Sequence, residues 1–219
     1  MRSANLPFAV THLTDRRSNP FGLTPPFDRS DESAVPAVFG YGDPNADFHV
    51  IGDRPGVHGG STSGIPFALG RRETPLTSLL RSVDFLSDDA DGPHLDDCFL
   101  SYIHMCTLPA GTEPTADSYA RLERFFDAEL RAVNAHVLVP IGRRATARVV
   151  ESYTTRRTRI ELDMDALHAT EIRGRGFLVV PLADPDRWDE SLVARASDRF
   201  ESILSSDYRQ TKGVATTVG

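Results

Sequence analysis

A chain of 219 residues with 40% apolar side chains can bury one domain-sized core, and no run of eighteen apolar residues offers a transmembrane helix. Two cysteines, Cys98 and Cys106, make neither a disulfide framework nor a complete metal cage, so reduced thiols are expected. The formal net charge of −7 argues against a generally basic nucleic-acid-binding surface, while leaving room for arginines gathered on one face.

Residues 1–36 are rich in Pro, Ser and Asp, lack sustained periodicity and read as an irregular arm. Their start lacks the long apolar centre of a secretory signal, so a cytoplasmic location is expected. The domain proper is expected over 37–204. Phe48–Ile51 is a short apolar run with strand character, and residues 76–85 have helical spacing. The stretch "CFLSYIHM" (98–105) is a second strand. Thr115 is placed to cap a long helix: Asp117 suits its positive end, and Leu122, Phe125, Phe126 and Leu130 recur at helical intervals. A third strand is expected over 136–142, a helix over 143–152, a fourth strand over 177–182 and a last helix over 188–204. Residues 205–219 read as a frayed tail. The charged insertion 153–176, with the look of a hairpin, carries Arg156, Arg157, Arg159, Arg173 and Arg175. Such a cluster suits phosphates, or it is a salt-bridged surface; both readings stay open.

Four apolar strands separated by helices predict an α/β fold: a three-layer α/β/α sandwich around a central four-stranded parallel sheet. Sheets of this kind bind ligands at the carboxyl ends of their strands. That rule selects 52–67, 102–108, 142–144 and 183–188. The first of these, "GDRPGVHGGSTSGIPF", puts an acid, several glycines and an aromatic ring on one loop. It can hold something flat, or a phosphate, or serve only as a turn. Arginine nearly replaces lysine, with Lys212 alone, and Asp outnumbers Glu by 21 to 10. This usage resembles proteins of salt-loving archaea, although a GC-rich genome also favours Arg over Lys.

The run "VFGYGDPNADFHVIGDRPG…GIPF" resembles the core of uracil-DNA glycosylases, above all the iron–sulfur-containing family four and its haloarchaeal relatives. "MCTLPAGTEPTADSYARLERFFDAEL" is similar to that family's Cys-Arg-Pro-Pro segment and its following helix. "HVLVPIGRRATARVV" is similar to its third strand and Gly-Arg-x-Ala helix, and "VVPLADPDRW" occupies the place of its closing Pro-x-x-His-Pro motif. The resemblance runs from Val38 to Ile203. It implies an enzyme that flips a nucleotide out of DNA and hydrolyses its N-glycosidic bond in base excision repair. By the same resemblance Phe67 would stack on the flipped base, or else is a core phenylalanine. Asp53 would orient water or steady the cation-like sugar, or only form a turn. Gly52, Pro55 and Gly56 would admit close backbone approach. Arg54, His58 and Arg143 are implied to contact DNA, Arg54 as a phosphate partner or else as a salt-bridge partner within the chain. Arg187 and Trp188 fall where the family has the loop that enters the duplex, Trp188 otherwise packing inward.

The departures from the family matter as much. No Cys precedes Cys98, so the iron–sulfur cluster is expected to be absent and no other cofactor is called for. Tyr102 stands at the base-reading asparagine, and Asp184 at the closing histidine that steadies the departing base. His104, on one strand face with Tyr102 and Cys106, and His58 are candidate replacement donors. The expected partner is DNA with uracil or another deaminated base, bound by a monomer, with Asp53, Asp184 and His104 as the catalytic candidates. The alternatives are a weak or inactive DNA- or nucleotide-binding member, and a small-molecule nucleosidase.

Overall fold

A computed structural model describes residues 17–18 as backbone, and residues 37–69, 73–90, 92–154, 160–174 and 176–208. The rest of the N-terminal arm, the tail beyond Tyr208, and Arg156, Arg157, Arg159 and Arg175 of the basic cluster lie outside the described residues.

Three of the four expected strands lie close to where hydrophobicity puts them: β3 (Phe48–Gly52), β6 (Cys98–Tyr102) and β7 (Val137–Pro140). The fourth, β9, is cut to Leu178–Val179. The pairs β6–β3, β3–β7 and β7–β9 are all parallel. The sheet is wider than expected, because antiparallel strands extend both edges. β1 (Arg17–Ser18) and β2 (Gly40–Gly42) add to the β6 side, and β8 (Ile172–Arg173) pairs with β9. The full order is β1-β2-β6-β3-β7-β9-β8. A separate hairpin joins β4 (Leu86–Asp89) to β5 (Gly92–Leu95).

Alternation along the strands divides the core into two layers. Phe48, Val50, Leu100, Val137 and Val139 pack with Leu76, Leu80 and Phe200 of α2 (Pro75–Ser82) and α6 (Glu190–Leu204). Ile51, Phe99 and Leu138 face Phe126, Leu130 and Val149 of α3 (Ala116–Val133) and α4 (Gly142–Tyr153). The helix ends follow the capping chemistry of their sequences. Thr115 accepts the Ser118 amide at α3, and Asp189 accepts the Leu192 amide at α6. Asn134 ends α3 in the left-handed conformation.

Three local expectations are corrected. The charged insertion is not a self-contained hairpin: it contains the one-turn helix α5 (Met164–Leu167), and its strand β8 pairs with the main sheet. The tail does not fray at Ser205, because the Tyr208 hydroxyl donates to Asp47 at 3.1 Å and its ring packs on Phe48. The last helix begins at Glu190, so Trp188 precedes it. Among the described residues, no helix is long and apolar enough to cross a membrane.

Candidate functional site

Strand β3 ends in Gly52 and Asp53, and the short helix α1 (Pro55–His58) turns His58 back over them. The Asp53 amide donates to His58 Nδ1 at 3.0 Å. That fixes the tautomer, because a nitrogen accepting a backbone N–H cannot also carry the proton. His58 Nε2–H is therefore the donor to Asp184 Oδ1, at 3.2 Å. This bond, with lesser help from the Arg187 charge and against the opposing effect of burial, holds the Asp184 carboxyl below its ordinary value. Gly142 makes the meeting possible: it has φ +77°, and a Cβ there would collide with the Asp184 carboxylate.

Tyr102 is completely buried. Its hydroxyl donates to the Gly59 carbonyl at 3.0 Å and accepts the Phe67 amide at 2.6 Å. Phe67 is buried too, with φ 58°, and its ring lies 5.3 Å from Tyr102 and 5.4 Å from His58. The three rings close on one another. The sequence expectation of a base-reading hydroxyl on Tyr102 is thus corrected, because that hydroxyl is engaged within the chain, while the Phe67 ring leans on Tyr102 and His58 and also lines a small cavity with Val57, Leu76 and Pro185. Gly52 serves the same closure. A Cβ there would stand 2.6 Å from the Tyr102 ring and 2.8 Å from His58, so its smallness admits side chains rather than a base or phosphate. Pro55 is buried at the first position of α1, whereas Gly56 is exposed.

The Asp53 carboxylate belongs to the other side of the sheet. The Tyr119 hydroxyl of α3 donates to Oδ1, Arg54 Nη1 donates to Oδ2 at 3.1 Å, and Arg144 Nε lies 3.8 Å from Oδ2. Arg144 also lies over the Tyr119 ring, 4.8 Å from its centroid. Arg54 Nη2 reaches both Glu113 oxygens at 2.6 Å. His104 does not face a ligand. The strand stops at Tyr102, His104 is wholly buried, its Nδ1–H donates to the Cys106 carbonyl, and burial lowers its pKa. It packs edge-on beneath Tyr119, so as a donor to a departing base it is corrected to a packing residue.

Residues 39–191 match the family model of the uracil DNA glycosylase superfamily. The chain belongs to that superfamily. No match to a curated protein was found. Membership supports a DNA glycosylase-like function in the broad sense.

Within the uracil DNA glycosylase frame, the expected DNA contacts divide sharply. Arg143 is exposed at the start of α4, with no ion pair among the described residues. Arg187 is exposed but paired with Asp165 at 3.3 Å. Trp188 is half-buried: its Nε1–H donates to the Ala183 carbonyl at 2.9 Å, and its ring meets His168 edge-on at 5.1 Å. In this conformation it is tied inward and not presented as a wedge. His58, also expected at the DNA, has a side chain only 5% exposed. Sequence reasoning missed Tyr119 and Glu113, and marked Arg144 only as the end of the 142–144 segment, without a role. Tyr119 was within reach, lying three residues before Leu122 and seven before Phe126 on the sheet-facing stripe of α3. Arg144 and Glu113 carried no periodic signal.

Proposed function

We propose that this superfamily member is a DNA glycosylase-like protein that binds DNA at a damaged nucleotide without excising uracil. The supporting observation is the closed circuit of Tyr102, His58 and Asp184. Reading uracil needs a group that donates and accepts on the base edge. The Tyr102 hydroxyl does both already, toward Gly59 and Phe67. A departing base needs a donor for its growing negative charge. The His58 N–H is committed to Asp184, and an ionised Asp184 repels that charge. Losing such a donor costs on the order of 3 kcal/mol, about a hundredfold in rate.

A second reading has its own support in Asp53. Its carboxylate stands at the carboxyl end of a central strand, held by Tyr119, Arg54 and Arg144, where it can orient a water for N-glycosidic hydrolysis of a deaminated base other than uracil. That reaction requires His58 and Phe67 to swing apart. Neither reading calls for an iron–sulfur cluster. The whole sequence has two cysteines, and burial pushes the Cys106 thiol up to about 12, far from a ready thiolate.

The test is a panel of duplex oligonucleotides carrying uracil, other deaminated bases or an abasic site, at low and at molar potassium chloride. Salt-dependent binding with the strand left intact is the expected result. Release of a deaminated base other than uracil would favour the second reading. Uracil release would overturn the first, and cleavage of free nucleosides without DNA binding would overturn both.

A further inference from the structure

We propose that the cleft between the first glycine loop and the loop after β6 is a phosphate-binding site, in which Glu113 holds the place of a nucleic-acid phosphate until DNA displaces it. The proposal rests on the DNA-binding reading above and adds the site and its internal competitor. The cleft has a volume of about 260 Å³, with Arg54, Gly56 and Ser61 on one wall and residues 106–113 on the other.

Arg54 is the receptor. Its side chain is 13% exposed and its guanidinium is gripped from two directions. On one side Asp53 accepts Nη1–H at 3.1 Å; on the other Nη2 meets both Glu113 oxygens at 2.6 Å. The two carboxylates differ in how they are held. Asp53 has a side chain 10% exposed and is fixed by Tyr119 and Arg144. Glu113 has a side chain 75% exposed, on a loop whose Gly111 has open space around it. An ion pair with one partner so exposed is screened and costs little to part. Once Glu113 leaves, Asp53 still aims the guanidinium into the cleft, and Arg recognises phosphate oxygens through the same paired N–H geometry it offers a carboxylate. Exchanging a carboxylate for a backbone phosphate keeps the local charge unchanged. Counterions released from the duplex supply the drive. Gly56 leaves the wall low, since a Cβ there would meet only Arg54 Nε, at 3.6 Å.

Fluorescence anisotropy of the full chain with a duplex carrying one abasic site, over a salt series, tests the idea. Glu113→Gln should tighten binding about three- to fivefold, the cost of parting one exposed ion pair. Glu201→Gln, which removes an equal charge from the exposed face of α6, should change it less than about twofold. Arg54→Gln should weaken binding and lower the salt slope by about one, and should abolish the effect of adding Glu113→Gln. Arg54→Lys, which keeps the charge beside Asp53, should fall between the two and serves if the glutamine variant does not fold. If Glu113→Gln and Glu201→Gln act equally, or Glu113→Gln keeps its effect without Arg54, the cleft proposal is overturned and the DNA-binding reading stands. If no protein binds the duplex at low salt, the DNA-binding reading falls and takes this proposal with it.

Discussion

His58 donates Nε2–H to Asp184 across 3.2 Å while its Nδ1 accepts the Asp53 amide, so one imidazole ties the first loop of the domain to the last. The superfamily resemblance expects a histidine in the closing motif; here that place holds the acid and the histidine comes from the opposite loop. Asp184→Asn keeps an acceptor for His58 and should leave the melting temperature almost unchanged. Asp184→Ala should cost less than about 1 kcal/mol, because the carboxylate side chain is 40% exposed and screened. Gly142→Ala should cost more, about 1–3 kcal/mol, since it strains a φ of +77° and drives a methyl into Asp184. Thermal melts that ranked these variants in the reverse order would refute the tie. The lowered Asp184 pKa adds stability that is present above the ordinary carboxyl value and lost as pH falls through the folded one.

A second buried chain sets the pH response. His49 Nε2 lies 2.8 Å from Ser101 Oγ, and Ser101 in turn donates to Glu129 of α3. Burial lowers His49 to about 3 and raises Glu129 to about 7. The signs oppose. Glu129 binds its proton more tightly folded than unfolded, so its contribution declines as pH rises from 4.5 to about 7. His49 stays neutral when folded, so stability is lost as pH falls from 6.5 toward 3. Between 4.5 and 6.5 the two slopes offset each other. Glu129→Gln should therefore unmask a stability that rises with pH across that range, and His49→Asn one that falls, each on the order of 3 kcal/mol in total. Denaturant titrations at pH 4.5, 5.5, 6.5 and 7.5 check the slopes; identical slopes in the two variants would reject the assignment.

The four central strands were legible because strands buried on both faces must be continuously apolar, as in "FHVI", "CFLSY" and "VLVP". The edge strands were not. Gly40–Gly42 and Ile172–Arg173 are too short to show a period, and their pairing is decided by the neighbouring strand. In the site, Asp53, Phe67, Tyr102 and Asp184 were visible as positions through the resemblance. What they touch was not visible, because the partner atoms come from loops distant in sequence. Tyr102 bonds to Gly59 and Phe67, and Asp184 to His58, 126 residues away. His104 was misplaced by extending strand alternation past the end of the strand at Tyr102.

Trp188 offers an optical check on the closing loop. It is the only tryptophan in the chain. Bonded to Ala183 and packed on His168, it should emit at blue-shifted wavelengths and ignore added abasic-site DNA. Trp188→Ala should cost about 2–3 kcal/mol, less than a fully buried tryptophan, with DNA binding little changed at temperatures where the variant is folded. Red-shifted emission quenched by DNA, with stability retained in the alanine variant, would instead make it the wedge that enters the duplex.

The last prediction asks whether the closed pocket alone separates this protein from uracil excision. Tyr102→Phe keeps the ring and removes the hydroxyl, stranding the Phe67 amide and the Gly59 carbonyl, and should lower stability by about 2 kcal/mol without creating any glycosylase activity. Asp184→His alone should also release no uracil, because Tyr102 still fills the position of the base-reading side chain. The double change Tyr102→Asn with Asp184→His restores a group that can donate and accept on the base edge, and a donor toward the departing base. It also frees the space beside Phe67, whose ring then has a face for stacking. With Asp53 still held by Tyr119 and Arg144, the double variant should release uracil from duplex DNA when neither single variant does. Stability should fall by about 3–5 kcal/mol, the range for emptying a large buried aromatic site, so the assay belongs well below the melting temperature. A folded double variant that binds uracil-containing DNA and releases no base would show that Asp53, as this protein holds it, cannot serve the hydrolytic step.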